Sequence, residues 1–174
     1  MGNPGSKKAA PRRREAVVVT VSDSCARGER RDETGPRCRE LLQEMGFICE
    51  RVLVVPDEME PLANLLRSLC DESGVHLILT AGGTGLSPRD ITPEATRRVV
   101  EREAPGFGEL LRLEGYKHKP TAMLSRATAG VRNGVLVINL PGSVRGVTEG
   151  LAALAPLLEH ALDVAGGHAF RCGG

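Results

Sequence analysis

The spacing of apolar residues switches between two periods along this chain, and that switching restricts the fold more than any other feature. Val17–Val21, Ile48–Val55 and His76–Thr80 are short runs, mostly apolar and β-branched, and predict strands. Between them the period lengthens. Cys38, Leu41, Leu42 and Met45 share a helical face that Gly46 ends, and Leu62, Leu65, Leu66, Leu69 and Cys70 share another. Further helices are predicted over residues 93–103 and 108–117. In residues 127–139 two β-type stretches flank Asn133-Gly134, a strong hairpin signal, and Val135–Leu140 reads as a buried strand. Leu151, Leu154, Leu158 and Leu162 mark a C-terminal helical region that Pro156 is expected to kink or split. Strands alternating with helices predict an α/β sandwich around a mostly parallel sheet, to which the hairpin adds an antiparallel strand.

The chain has 174 residues, enough for one domain with a substantial core. With one Tyr, three Phe and no Trp, that core has to be built from Val, Leu, Ile and Ala. The same scarcity argues against a platform for stacking single-stranded nucleic acid, and a net charge of +1 gives no field to attract a duplex. Cysteines stand at positions 25, 38, 49, 70 and 172, an odd number without a C-x-x-C pair. Reduced thiols in a cytoplasmic protein fit this better than a disulfide framework or a thiolate zinc site. No apolar run reaches the roughly 20 residues needed to cross a membrane. Residues 1–15 carry Lys7, Lys8, Arg12, Arg13 and Arg14 among Gly and Pro and read as a disordered basic tail. With no repeat or linker beyond it, residues 16–174 read as a single domain.

The chemistry is expected at the ends of the strands, where ligands sit in open α/β sheets. After His76–Thr80 come Gly82, Gly83, Thr84 and Gly85, then Pro88-Arg89-Asp90 and Thr92-Pro93. Glycines let a backbone approach a ligand closely and adopt positive φ. The dinucleotide fingerprint is excluded because Pro88 stands where its third glycine belongs, and no Gly-Lys-Ser/Thr completes a P-loop. Arg89 can neutralise a phosphate and Asp90 can hold Mg²⁺ through a carboxylate oxygen; the plainer reading is a surface ion pair. Thr92 and Pro93 read as the N-cap and first residue of a helix.

Three further strand ends add polar residues. Ser22-Asp23-Ser24, with Gly28, Asp32 and Thr34-Gly35-Pro36, offers hydroxyls and carboxylates for a polar ligand, or is a solvated loop with a helix cap. Pro141-Gly142-Ser143 follows the Val135–Leu140 strand, where Ser143 is a candidate cap for a helix whose free N–H groups suit an anion. Asp57, after Ile48–Val55, reads on its own as the N-cap of the next helix and alternatively as a second metal ligand facing Asp90. The coincidence of four such turns on one sheet edge favours a site for a phosphate-bearing ligand. No metal-ligand spacing of histidines and no Gly-x-Ser-x-Gly nucleophile turn occurs.

Taken together, Thr80-Ala81-Gly82-Gly83-Thr84-Gly85-Leu86-Ser87-Pro88-Arg89-Asp90 with Thr92-Pro93-Glu94-Ala95-Thr96, Val21-Ser22-Asp23-Ser24, Asp32-x-Thr34-Gly35-Pro36 and Asn139-Leu140-Pro141-Gly142 resemble the MoaB/Mog family of molybdenum-cofactor biosynthesis proteins. Pro105-Gly106-Phe107-Gly108-Glu109 and Ser125-Arg126 also look like family sequence, and the resemblance spans roughly residues 16–165. It implies a three-layer α/β/α sandwich, usually a homotrimer. In the Mog-type branch, and in the similar G domain of gephyrin, the implied activity is Mg²⁺-dependent adenylyl transfer from ATP to molybdopterin. The adenylylated pterin then passes to a molybdate-inserting enzyme. By motif position Asp57 and Asp90 match the catalytic, metal-associated acids. Gly82, Gly83, Thr84, Gly85 and Arg89 would serve the phosphates, and Ser22, Asp23, Pro141, Gly142 and Ser143 the pterin or nucleotide. Ser143-Val144 after Leu140-Pro141-Gly142 departs from the Asn-Pro or Gln-Pro common in adenylyltransferases. It looks more like the MoaB-type branch, so the alternative is a non-catalytic molybdopterin-binding paralogue.

Overall fold

Three parallel strands, two of them buried on both faces, make up one half of the sheet. In the computed structural model, which describes residues 13–167, β1 (Glu15–Val21) pairs in parallel with both β2 (Ile48–Val55) and β3 (Val75–Ala81). β3 pairs in parallel with β6 (Val135–Leu140), which turns back antiparallel onto β5 (Ala129–Arg132), followed by the short β4 (Arg102–Glu103). The strand order is β2-β1-β3-β6-β5-β4. The β5–β6 hairpin turns where expected, with Asn133 at φ 49° and Gly134 at φ 81°, the pair of positive φ values a type I′ turn requires.

Alternation along the strands divides the core in two. Ala16, Val18, Leu77, Leu79, Leu136, Ile138 and Leu140 face one layer, which holds α2 (Thr34–Glu44), α5 (Pro105–Tyr116) and α6 (Val144–Ala165). Val17, Val19, Val21, Ile78, Val135 and Val137 face the other, which holds α3 (Met59–Asp71) and α4 (Thr92–Arg97). This is the expected three-layer α/β/α sandwich. A small polar cluster is buried beside the second layer. Asn139 is fully buried, donates from Nδ2 to Thr80 Oγ1 (2.9 Å) and Thr96 Oγ1 (2.8 Å), and accepts from the Thr128 N–H (3.3 Å). It links β3, β6 and α4, and with all its partners in place it does not incur the penalty of an unpaired buried amide.

Three expectations change. The helix predicted over 93–103 ends at Arg97, and Arg102–Glu103 instead forms an edge strand. The reason is tertiary: Gly130 of β5 has no side chain, and a Cβ there would lie 2.7 Å from the Arg102 carbonyl, so the two backbones meet closely enough to pair. The segment 22–36 is not all loop, since α1 (Asp23–Ala26) forms one turn and α2 starts at Thr34. Pro156 does not split the C-terminal helix, which runs unbroken for 22 residues. Pro156 and Ala152 both lie on its exposed face, where water can satisfy the carbonyl that lacks an N–H partner.

The basic stretch is also shorter than its composition suggests. β1 begins at Glu15, and Arg14 is buried and paired with Asp163 of α6. Lys7, Lys8, Arg12, His168 and Cys172 lie outside the described residues. Cys25, Cys38, Cys49 and Cys70 are free thiols. Burial pushes Cys38 up to about 12 and Cys49 and Cys70 to about 11, so these three remain protonated core residues at neutral pH. No helix of the described residues is long and apolar enough to cross a membrane.

Candidate functional site

Because β2, β1, β3 and β6 are parallel neighbours, their C-terminal ends deliver four turns to one edge of the sheet. From β1 the chain crosses to β2 on one side, then passes back to β3 on the other. The crevice between β1 and β3 is therefore the topological switch point, where open α/β sheets bind ligands.

Two of the turns lock together through their carboxylates. The Asp23 N–H donates to Asp57 Oδ2 (2.8 Å), and the Asp57 N–H donates to Asp23 Oδ1 (3.0 Å). Asp57 is consequently not the cap of α3; that position belongs to Glu58, which makes no side-chain cap bond. Arg89 reaches over from the glycine turn and donates to Asp23 Oδ2 from Nε (3.1 Å) and Nη2. The charges respond accordingly. Arg89 beside it and the Asp57 amide hold Asp23 below the usual carboxylate range. Burial pushes Asp57 up, and the negative charges of Asp23 and Asp90 add to the rise.

The glycine turn has an unexpected use for its missing side chains. Gly82 lies at φ 110°, and a Cβ there would stand 2.3 Å from the Val21 carbonyl. A Cβ on Gly83 (φ 63°) would meet Thr92 Oγ1 at 2.4 Å and Asp57 Oδ1 at 3.1 Å. One on Gly85 would meet Asp90 Oδ2 at 2.9 Å. Gly83 and Gly85 thus make room for the two aspartates, while Gly82 lets β3 pass close to β1. Thr92 is not the N-cap of α4, which is Ile91. Its buried hydroxyl instead donates to the Gly82 carbonyl (2.8 Å), and its N–H donates to the Gly83 carbonyl (3.1 Å). Asp90 Oδ2 accepts from the Ser87 N–H (2.8 Å) and so closes its own turn.

The remaining candidates divide between ligand-facing and structural positions. Gly142 packs on the glycine turn, with a Cβ there 3.1 Å from Gly82 Cα. Ser143 caps α6, accepting from the Gly146 N–H (3.0 Å). With Thr84, Gly85 and Pro141 it lines a cavity of about 520 Å³ that has Leu111 and Ala122 in its wall. Lys119 and Arg145 line it too, Arg145 donating from Nε to Glu149 Oε1 (2.6 Å) in the same wall. A smaller hollow of about 320 Å³ lies on the other side of Ser143, lined by Arg30, Arg31 and Thr34. Ser22 caps α1 through Cys25 N–H. Asp32 is committed to structure, accepting from Thr20 Oγ1 (2.7 Å) and from the N–H groups of Thr34 and Gly35 (both 3.0 Å) at the start of α2.

Among the described residues, no group of three or more His, Cys, Asp or Glu is placed to enclose a metal ion. Asp57 and Asp90 each commit one oxygen to a backbone N–H and leave Oδ1 without a hydrogen bond. Two such carboxylate oxygens suit a cation like Mg²⁺, which keeps waters among its ligands. They do not suit a metal held by protein alone.

Arg126 is the residue that sequence reasoning passed over. It appeared only within the family-like pair Ser125-Arg126, with no period or turn signal to set it apart. In the fold it bonds the loop after the glycine turn at both ends, Gly85 and Asp90.

The pattern of a probable molybdopterin binding domain matches residues 17–160. The molybdopterin adenylyltransferase of Helicobacter pylori (strain J99) is 41% identical over 152 residues, covering 84% of this chain and 85% of the relative. That of Escherichia coli K12 is 40% identical over 137 residues, covering 77% and 70%. The crystal structure of the molybdopterin biosynthesis enzyme MoaB from Thermus thermophilus superposes with a TM-score of 0.83 at 47% identity, covering 90% of this chain and 99% of that one. Match, identity and coverage agree with the strand-end geometry, and the chain belongs to the MoaB/Mog family of molybdopterin-binding proteins.

Proposed function

We propose that this chain, with residues 16–174 as one functional unit, is a molybdopterin adenylyltransferase. The terminal phosphate of molybdopterin would attack the α-phosphorus of ATP. A new P–O bond forms, the bond between the α- and β-phosphates breaks, and pyrophosphate leaves. The observation that carries this reading is the placement of Asp57 and Asp90 on either side of one glycine turn, each with a free oxygen. Asp57 and Asp90 would hold Mg²⁺, which would supply charge neutralisation to the phosphates. The protein would position its substrates and hold that charge in place, which is the main task in phosphoryl chemistry. Gly82, Gly83, Thr84 and Gly85 would present backbone to the nucleotide phosphates. Arg89 would exchange Asp23 for a phosphate oxygen. The 520 Å³ cavity, with its apolar wall and Lys119, would take a heterocyclic ring with its phosphate, and Arg145 would exchange Glu149 for a phosphate oxygen. Relatives named as adenylyltransferases weigh against the non-catalytic alternative.

The protein mixed with molybdopterin, ATP and Mg²⁺ is expected to yield adenylylated pterin and pyrophosphate, read by mass spectrometry. Absence of product from substrate that a known adenylyltransferase consumes overturns the reading. The product would pass to a molybdate-inserting partner in the cytoplasm.

We also assign a homotrimer to this chain, as the family resemblance implies. An apolar hollow of about 610 Å³ between the start of α5 and the outer face of α6, lined by Phe107, Leu110, Pro156 and Leu157, is the surface suited to it. Sedimentation of the purified chain should give three times the 18.5 kDa protomer mass, and a monomer at micromolar concentration removes the assignment.

A further inference from the structure

Arg126 makes four hydrogen bonds on and around the loop that carries Asp90. The Arg126 N–H donates to the Thr84 carbonyl (2.8 Å). Its Nε donates to the Gly85 carbonyl (2.7 Å) and its Nη2 to the Asp90 carbonyl (2.6 Å). Its Nη1 pairs with Glu94 Oε1 of α4. One planar guanidinium therefore grips the first residue of the loop Gly85–Asp90, the last residue, and the helix that follows. A guanidinium holds its donors in a fixed fork, so the three acceptors are fixed relative to one another. Inside the grip, the Ser87 N–H bonds Asp90 Oδ2 and the Asp90 N–H bonds the Ser87 carbonyl (2.9 Å).

Arg126 acts on the loop from outside the cavity described above. Arg126 faces a separate hollow lined by Arg97, Glu103, Arg112 and Thr128, and it does not line the cavity formed by Thr84, Gly85 and Ser143. Glu94 Oε1 lies on Arg126, with Arg97 Nη1 farther off at 4.0 Å, while the buried Oε2 has no hydrogen-bond partner. We infer that Arg126, backed by Glu94, is a positioning residue: it sets the distance between Gly85 and Asp90 and so aims the Asp90 carboxylate at the reacting phosphates. This rests on the adenylyltransferase reading for its catalytic consequence, while its structural content stands apart from it.

Arg126→Lys retains the charge but lacks the fork, and Arg126→Met retains the length but neither charge nor fork. With Arg126→Lys, kcat for adenylyl transfer is expected to fall about 100-fold, the scale of a misplacement near 1 Å. The Mg²⁺ concentration for half-maximal rate should rise while KM for molybdopterin stays within twofold, and Arg126→Met should fall further. Hydrogen–deuterium exchange gives the readout independent of turnover. The Ser87 and Asp90 amides should exchange at least tenfold faster in Arg126→Lys, with β1 and β6 unchanged. If Arg126→Met fails to fold, Arg126→Lys alone decides. Unchanged exchange at Ser87 and Asp90 overturns the inference. So does faster exchange with wild-type kcat and Mg²⁺ dependence. A wild-type protein that makes no product removes the adenylyltransferase reading, and the exchange data then decide the grip alone.

Discussion

Asp90→Asn is expected to lower kcat at least about 1,000-fold, the scale of several kcal/mol of lost charge stabilisation in the transition state. The fold should be retained. The Asn side-chain oxygen can still accept from the Ser87 N–H, so the turn closes as before. What disappears is the negative charge that would hold Mg²⁺ at the phosphates. Asp57→Asn should lose activity to a similar degree but respond differently in stability. Burial and the neighbouring carboxylates raise the Asp57 carboxyl above its usual range, so the folded state binds its proton more tightly than the unfolded chain does. By linkage the ionised form is a cost to folding above that range, and the cost fades as pH falls through it. A neutral amide removes the cost, so Asp57→Asn should melt at or above the wild-type temperature at pH 7. Product formation by mass spectrometry and thermal melting together check both variants, and a wild-type rate in Asp90→Asn removes Asp90 from the mechanism.

The second large effect is on stability. Gly82→Ala is expected to destabilise the fold by at least about 3 kcal/mol, combining strain at positive φ with a backbone collision. Its Cβ would lie 2.3 Å from the Val21 carbonyl, an atom of the central strand that cannot swing aside as a side chain can. Gly28→Ala is the internal comparison. Gly28 also has positive φ, at 72°, but nothing stands within 4 Å of a Cβ there. It should cost only about 1 kcal/mol, the backbone term alone. Urea unfolding separates the two, and equal midpoints would show that the strand ends are looser than the geometry requires.

The strands and the main helices were legible because their signals are local. β1 and β6 alternate between two buried faces, and Leu151, Leu154, Leu158 and Leu162 repeat along α6 as a helix needs. Misreadings arose where a distant partner overrides local preference. Residues 98–103 continue a helical pattern, yet β5 captures Arg102–Glu103 because Gly130 allows close approach. Thr92 has the chemistry of an N-cap, yet its hydroxyl is drawn to the Gly82 carbonyl. Asp57 also has that chemistry, yet the Asp23 amide claims it.

The alternation of periods, the glycine turn before Pro88-Arg89-Asp90 and the polar residues after each strand are properties of the sequence, and they were enough to predict polar turns gathered on one edge of a parallel sheet. Only the tertiary structure assigned the work within that site. It showed that Gly83 and Gly85 vacate space for Asp57 and Asp90, that Asp32 is a helix-capping residue, and that Arg126 grips the loop from behind. The physical reason is sequence distance. A turn or a periodic face is written in neighbouring residues. The meeting of residues 23 with 57, 57 with 83, and 126 with both 85 and 90 exists only once the sheet has brought four strand ends together.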